Sequence, residues 1–464
     1  MRRVAVLVLT AGALAGVAPA AGHAASRVSF DRYSLRIDGR RVVLNSGEVH
    51  PSRIPDPRAW PDVLARLRAG GLNAISIYVP WSYHEPSPGR FRWSGRYDVE
   101  RFLAEARDAG LYVVVRPGPY ANAELDGGGF PSWLLGRPGV LRSTDPRYTR
   151  AWKAWFASAL PRFARWQIGG ARRGTVIALQ IENEFSASGA GPDAYMRDLY
   201  ATARADGIRV PILHNDQSLA GRFRDIVDLY GFDAYPYGFA CCPRWGEATF
   251  AGLDRVEAAL PPSGRRSPIF IPEIQGGAID FTEQTGERTT QRLYRALAGY
   301  GTAQDVTLLG QGTTMINRYM AYGGTSWGYL PFPPLGTSYD YAAPVREWTG
   351  LGPRFDELRR VSGEIAVAGS SLAATLPDPA AVTSDVPAAV YRVRRSLVDG
   401  GLHVFLRNAG DQALAPRLRI GSATTPPVSL PPRSARYLLA GARVRGWSIG
   451  WSTVSYTHLT LPTN

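Results

Sequence analysis

Apolar positions along this chain switch repeatedly between two spacings. Val42 to Val49 reads as a strand, and Trp60, Val63, Leu64 and Leu67 then follow at i, i+3, i+4 and i+7 before stopping at Gly70-Gly71. That spacing predicts an amphipathic helix ended by glycine. Leu72 to Val79 reads as the next strand, Val99, Phe102, Leu103 and Ala106 repeat the helical spacing before Gly110, and Leu111 to Val115 is a strand again. The unit is βαβ, and it recurs. Further strands are predicted at Thr175 to Ile181, Val210 to Leu213, Ile226 to Tyr230, Ile269 to Ile271 and Met315 to Ala321, with helices around Arg150 to Trp166, Asp193 to Ala205 and Thr290 to Tyr300. About eight strands of this kind fit a closed (β/α)8 barrel better than an open doubly wound sheet. A Gly-x-Gly-x-x-Gly turn, which would indicate a dinucleotide fold, does not follow the first strand.

Past Leu351 the texture changes. After a short helical piece near Phe355 to Arg360, segments such as Ala389-Val390-Tyr391-Arg392-Val393 and Leu402-His403-Val404-Phe405-Leu406-Arg407 alternate between turns rich in Pro and Gly. They predict antiparallel β structure. The fold class is therefore α/β, a barrel over residues 26–355 followed by a partial antiparallel β domain over 356–453. The last segment, Val454 to Asn464, resembles a translated sequencing adapter, so 454–464 is read as a non-native tail and the natural chain as continuing further.

At the other end, Met1-Arg2-Arg3, the apolar stretch Val4 to Val17 and the small-residue sites Ala18-Pro19-Ala20 and Gly22-His23-Ala24 have the three parts of a secretory signal peptide, assigned to 1–25. The run is shorter than the ~20 residues that span a bilayer, so a membrane anchor is not expected and a secreted, extracellular protein is. Roughly 440 residues follow, enough for a ~250-residue barrel with a second unit.

A formal charge of +14 raises the question of nucleic acid, but all of the 53 basic residues except Lys153 are Arg, and they are scattered. No phosphate-binding face is expected from that distribution. Only Cys241 and Cys242 occur, adjacent to each other, which excludes a disulfide framework and a cysteine-based zinc site. A bond between these neighbours and two buried thiols both stay open. His50, His84 and His214 are too dispersed for metal-ligand spacing and are read as hydrogen-bonding residues near a pocket rim.

Two apolar runs each deliver a glutamate at their far end: Val176 to Glu184, and Pro268-Ile269-Phe270-Ile271-Pro272-Glu273. A barrel keeps its chemistry where such buried strands emerge into loops. Two carboxyl groups on one rim suit glycosidic bond cleavage, in which one protonates the leaving oxygen and the other attacks the anomeric carbon from ~5 to 5.5 Å away. Glu184 is assigned the acid role and Glu273 the nucleophile, with Glu182 as the rival acid because strand alternation puts it on the same side as Glu184. Their proximity is expected to keep Glu184 protonated while Glu273 stays ionised. Asn183 is placed to bond a sugar hydroxyl. Glu124, in the polar loop Asn122 to Gly129, is a charged acceptor for sugar hydroxyls, and Tyr78, Tyr235 and Tyr341 stand out among the strand-end aromatics as a platform for a pyranose face.

The segments Ser46-Gly47-Glu48-Val49-His50, Tyr78-Val79-Pro80-Trp81 through His84-Glu85-Pro86, Arg116-Pro117-Gly118-Pro119-Tyr120, Gln180-Ile181-Glu182-Asn183-Glu184, Tyr322-Gly323-Gly324-Thr325 and Thr337-Ser338-Tyr339-Asp340-Tyr341 strongly resemble glycoside hydrolase family 35, the β-galactosidases. Asn122-Ala123-Glu124 and Tyr235-Pro236-Tyr237-Gly238-Phe239 are closer to its secreted fungal-type branch. The resemblance implies a retaining mechanism with Glu184 as acid/base and Glu273 as nucleophile, galactose held by Tyr78, Asn122, Ala123, Glu124, Asn183, Tyr235 and Tyr341, and no cofactor or metal. Phe185 stands where the family usually has Tyr, Leu125 where many members have Trp, and Cys241 lacks its relatives' distant disulfide partner. The expected function is an exo-β-galactosidase acting on galactose-terminated oligosaccharides or glycans. The alternatives are another exo-β-glycosidase, glucosaminidase-like, or a non-catalytic carbohydrate-binding fragment.

Overall fold

The computed structural model describes residues 27–136, 140–239, 244–279, 287–328, 330–332, 335–444 and 447–452. The signal-peptide assignment, Cys241 and Cys242, and the C-terminal tail lie outside these residues. Eight parallel strands close into a barrel: β1 (Leu44–Glu48), β2 (Ala74–Tyr78), β3 (Tyr112–Arg116), β4 (Val176–Gln180), β5 (Ile212–Asp216), β6 (Leu229–Phe232), β7 (Phe270–Gln275) and β8 (Met315–Tyr319), with β8 pairing back onto β1. Among the helices on its outside are α1 (Trp60–Ala69), α2 (Val99–Asp108), α3 (Pro146–Arg165) and α4 (Ala190–Ala205). Local chemistry starts them. Asp98 caps α2 by accepting from the Arg101 amide, and Asp145 caps α3 by accepting from the Arg147 amide with Pro146 at the first helical position.

Several boundaries differ from the sequence reading, each for a physical reason. The expected strand Val42 to Val49 is divided. Arg40–Val42 pairs antiparallel with Leu35–Ile37 in a small sheet ahead of the barrel, and β1 begins at Leu44. β5 starts later than expected and runs on through the polar His214-Asn215-Asp216, and β6 is likewise displaced towards Phe232. Buried polar residues at the C-terminal ends of barrel strands line the pocket rather than end the strand, so an apolar run understates strand length there. β7 continues past Ile271, and Glu273 lies inside it instead of beyond its end. Pairing with β8 shifts register between Ile271 and Ile274, which accommodates Pro272 with its missing N–H, and the Pro272 carbonyl accepts from Asn317 Nδ2 at 2.8 Å.

The expected helix Thr290 to Tyr300 is two helices, α5 (Glu287–Ala296) and α6 (Tyr300–Gly310). Gly299 separates them with φ of +74°, and a Cβ there would meet the Arg433 carbonyl oxygen at 2.4 Å. The helical piece at Phe355 extends into an 18-residue helix, α7 (Phe355–Leu372), bent at Gly369. Beyond it a five-stranded antiparallel sheet runs in the order β9 (Thr375–Pro377), β10 (Val390–Ser396), β11 (Leu402–Asn408), β12 (Ser434–Val444) and β13 (Trp447–Trp451).

This sheet packs directly on the barrel's helices. All seven residues of β11 are buried, with Phe405 facing the α6 core beside Tyr437 and Leu308, and Val404 and Leu406 facing the opposite core with Leu418 and Leu430. Period-two alternation explains the division. Helix α6 is enclosed between barrel and sheet, every residue but Gly301 being buried. Arg407 joins the two by bonding Asp254, Glu247 and the Thr307 hydroxyl. No helix among the described residues is long and apolar enough to cross a membrane.

Packing is close where β1 meets the chain leaving β8. A Cβ added at Gly47 would lie 2.3 Å from that of Ala321. Gly47→Ala should destabilise the protein by about 1 to 3 kcal/mol, measured as a lower urea midpoint at unchanged m-value.

Candidate active site

The C-terminal ends of the strands surround a cavity of about 450 Å³ whose walls include Asn122, Ala123, Glu124, Asn183, Glu184, Asp233, Tyr235 and Glu273. Seven of the nine residues expected from the sequence thus share one space. Tyr78 and Tyr341 stand just behind the wall. The Tyr78 hydroxyl lies 2.6 Å from Asn183 Oδ1 and 2.9 Å from Glu273 Oε1. The Tyr341 ring meets Tyr319 edge-on at 5.5 Å, and its buried hydroxyl has no hydrogen-bond partner among the described residues.

Glu273 is surrounded by donors. Arg116 Nη2 and the Tyr78 hydroxyl reach Oε1, and the Tyr235 hydroxyl reaches Oε2 at 2.5 Å. Such a ring of donors serves an oxygen that carries negative charge. The Arg116 guanidinium is itself buried and forked, giving Nε to Gln180 and Nη1 to Glu48 at 3.0 Å each, with the Tyr78 ring 4.0 Å from its centre.

Glu184 is treated differently. Its backbone amide donates to Asn215, but its carboxyl has no hydrogen-bond partner among the described residues. Burial first, then the charges of Glu273 and Glu124, push it up to about 7 against the opposing pull of Arg116 and Arg142. The sequence reading attributed this rise to the second carboxylate, whereas burial is the larger cause.

Glu182, the rival acid by strand alternation, is bonded on both carboxylate oxygens. Arg142 grips its Oε2 through Nε at 3.0 Å and Nη2 at 2.6 Å, and the Tyr195 hydroxyl donates to Oε1 at 2.6 Å. Strand alternation fails here because β4 ends at Gln180, and Glu182 and Glu184 both take left-handed φ, at +58° and +45°. Between them Asn183 turns its Oδ1 inward, where Arg116 and Asn215 Nδ2 donate to it and the Tyr78 hydroxyl divides its one proton between this oxygen and Glu273. With the acceptor so occupied, the Asn183 amide nitrogen is left to face the cavity as a donor.

The loop carrying Glu124 is equally unusual, with Asn122, Ala123 and Glu124 at φ of +55°, +51° and +46°. Buried Arg53 holds it by donating to the carbonyls of Ala123 and Glu124. Tyr319 and Tyr339 donate to the Glu124 carboxylate, which burial raises above its ordinary range. Three consecutive left-handed non-glycine residues are strained, and such strain concentrates at ligand sites.

Sequence reasoning missed several members of this site. Arg116, Glu48, Asn215 and Asp233 all sit at or just past the ends of barrel strands, where the rule that found the two glutamates would have found them too. Asp233 is buried, donated to by Asn215 at 2.5 Å, and shifted well up by burial and by its neighbours Glu273 and Glu184. Tyr319, the last residue of β8, carried the same signal, whereas Arg53 had none. The other aromatics divide. Trp81, Phe130 and Trp133 pack into the outer core with Trp155, and Tyr237 packs on Tyr300. His50 accepts from Arg53 beside the site, while His84 stacks on Trp93 and bonds the Arg92 carbonyl, away from the pocket. Among the described residues no group of three or more His, Cys, Asp or Glu is arranged to hold a metal.

Fold and pocket together define a (β/α)8 barrel protein with an acidic, tyrosine-lined pocket at its C-terminal rim. The model of glycosyl hydrolases family 35 matches residues 34–365, and the chain belongs to that family. It is 36% identical over 364 residues to a probable beta-galactosidase A of Neosartorya fischeri, covering 75% of this chain and 35% of that one. It is also 36% identical over 361 residues to beta-galactosidase A of Aspergillus oryzae, with the same coverage. A probable beta-galactosidase B of N. fischeri matches at 30% over 446 residues, 86% of this chain and 42% of the relative. The chain therefore spans between a third and a half of the length of these curated relatives. A solved GH5_18 structure from Bifidobacterium longum overlays with a TM-score of 0.50 at 15% identity, over 69% of this chain and 79% of that one, a likeness of fold alone.

A carboxyl group raised from 4.5 to about 7 by folding costs stability once the unfolded chain ionises. Below about pH 4.5 both states are protonated and the cost is absent; it grows as pH rises and levels off above 7, at no more than about 3 kcal/mol. Glu184→Gln should therefore raise the melting temperature at pH 8 and leave it nearly unchanged at pH 4, as read by calorimetry at the two pH values.

Proposed function

We propose that this protein is a secreted, retaining exo-β-galactosidase that removes terminal β-galactosyl residues from oligosaccharides or glycans. The observation that carries the reading is the unequal treatment of two carboxyl groups facing one cavity. Glu273 has donors on both oxygens, and Glu184 has none and is raised to about 7. A retaining mechanism needs one anion and one acid, and the environment separates them. The family's curated relatives, named as beta-galactosidases, support the choice of sugar.

In the first step a Glu273 oxygen forms a bond to the anomeric carbon as the bond from that carbon to the leaving oxygen breaks. The Glu184 proton passes to the leaving oxygen, so the aglycone departs neutral and the sugar remains as an ester on Glu273. In the second step the ionised Glu184 accepts a proton from water, whose oxygen attacks the same carbon. The ester bond breaks, galactose leaves with its original configuration, and both carboxyl groups return to their starting states. The Asn183 amide nitrogen and the Glu124 carboxylate offer a donor and an acceptor to sugar hydroxyls, and hydrogen bonds of this kind strengthen as the ring gains oxocarbenium character.

Glu273→Gln should lose at least about 10³-fold of turnover on an aryl β-galactoside, since the covalent route disappears. Near-normal turnover overturns the assignment. For the native enzyme kcat/KM should fall about tenfold per pH unit above about 7, as Glu184 loses the proton it must donate. A panel of aryl galactoside, glucoside and glucosaminide should favour the galactoside, and preference for another sugar transfers the reading to a different exo-β-glycosidase.

A further inference from the structure

The turn that presents Glu184 is held open by a residue well outside its strand. Glu182 and Glu184 flank Asn183 in left-handed conformations that neither residue type prefers, a combination that lasts only where surrounding contacts overdetermine it. Arg142 supplies those contacts. Its Nη2 donates to the Asn183 carbonyl at 2.6 Å and to Glu182 Oε2 at 2.6 Å, and its Nε adds a third bond to the same carboxylate oxygen. The guanidinium is sandwiched, 4.1 Å from the Tyr120 ring centre and 4.9 Å from that of Phe185, so it has little freedom to leave. Tyr195 completes the grip by donating to the other oxygen of Glu182, and its hydroxyl is in turn 2.9 Å from that of Tyr148. Nothing comparable holds the Glu184 carboxyl itself, whose place in the cavity therefore follows from the backbone of this turn.

We infer that Arg142 is a positioning residue for the proton donor, acting through Glu182 and the Asn183 carbonyl to keep the Glu184 carboxyl aimed at the leaving oxygen. The inference rests on the proposed role of Glu184. A planar fork suits the task because it bonds a carboxylate and a carbonyl at once while stacking between two rings, and a lysine ammonium matches neither feature. A donor displaced by about an ångström loses its contribution, which is worth 10²- to 10⁴-fold where the leaving group needs a proton.

The test compares kcat/KM on two aryl β-galactosides, phenyl, a poor leaving group whose phenol has a pKa of about 10, and dinitrophenyl, which departs without acid help. Arg142→Gln should lose about 10- to 100-fold on the phenyl substrate and less than about 3-fold on the dinitrophenyl one. Arg142→Lys should lie between Arg142→Gln and the native enzyme. Tyr195→Phe, which removes one bond to Glu182 and leaves every charge in place, should show the same selectivity at smaller size and keeps the comparison available if Arg142→Gln does not fold. Equal losses on both substrates, or none on either, overturn the inference. Glu184→Gln run beside them separates the two failures. If it shows the selectivity and the Arg142 and Tyr195 variants do not, the positioning role is wrong; if it shows none, the acid assignment is wrong.

Discussion

The site is organised around one buried guanidinium. Arg116 reaches from the end of β3 to Glu48 on β1, Gln180 on β4 and Glu273 on β7, so a single side chain spans the C-terminal end of the barrel and joins four of its strands. A cation in that position needs partners on every side, because an uncompensated buried charge is strongly destabilising. Glu48 and Glu273 supply two anions, and the Tyr78 ring covers the guanidinium face. Closing the barrel therefore also places the oxygen of Glu273, and no loop has to find it.

Around this centre the pocket is acidic, with Glu124, Glu184, Asp233 and Glu273 all opening on it. They are made unequal by what each one touches. Glu273 has Arg116 and two tyrosine hydroxyls, Glu124 has Tyr319 and Tyr339, and Asp233 has Asn215. Glu184 is left with burial and like charge, which favours its protonated form. The same circumstance that makes it a fit acid near neutral pH makes it a cost to folding, a common balance at active sites. Asn215 links these roles, bonding Asp233, Asn183 and the Glu184 backbone with one side chain.

The β sheet beyond the barrel contributes at a distance. Helix α6, which follows β7 and α5 and precedes β8, is buried on all sides because the sheet covers the face that a barrel helix normally shows to water. Arg394 and Arg407 extend from the sheet to Glu257, Asp254 and the α6 backbone or hydroxyls, replacing the hydration such polar groups lose. Strands β7 and β8 are thereby braced from outside, and β7 carries Glu273.

Much of this was legible in the chain. Eight barrel strands follow from continuous apolar runs, because they are buried on both faces, while the helices between them and the later antiparallel region follow from periods of 3.6 and two, because they bury one face. Glu184, Glu273 and the tyrosines were legible because charged and aromatic groups at the ends of apolar strands have few structural reasons to be there. Other features were not. Glu182 and Glu184 look equivalent by alternation, and only the left-handed turn after β4, gripped by Arg142, makes one a structural anchor and leaves the other facing the cavity. Nor does any local pattern pair Arg53 with the Glu124 loop, Arg116 with Glu48, or the β11 face with α6. The sequence by itself determined most of the strand and helix segments and which charged and aromatic groups stand at the strand ends. Tertiary structure alone decided which carboxyl group is surrounded by donors and which is left bare, because that depends on neighbours brought together from strands far apart in the chain.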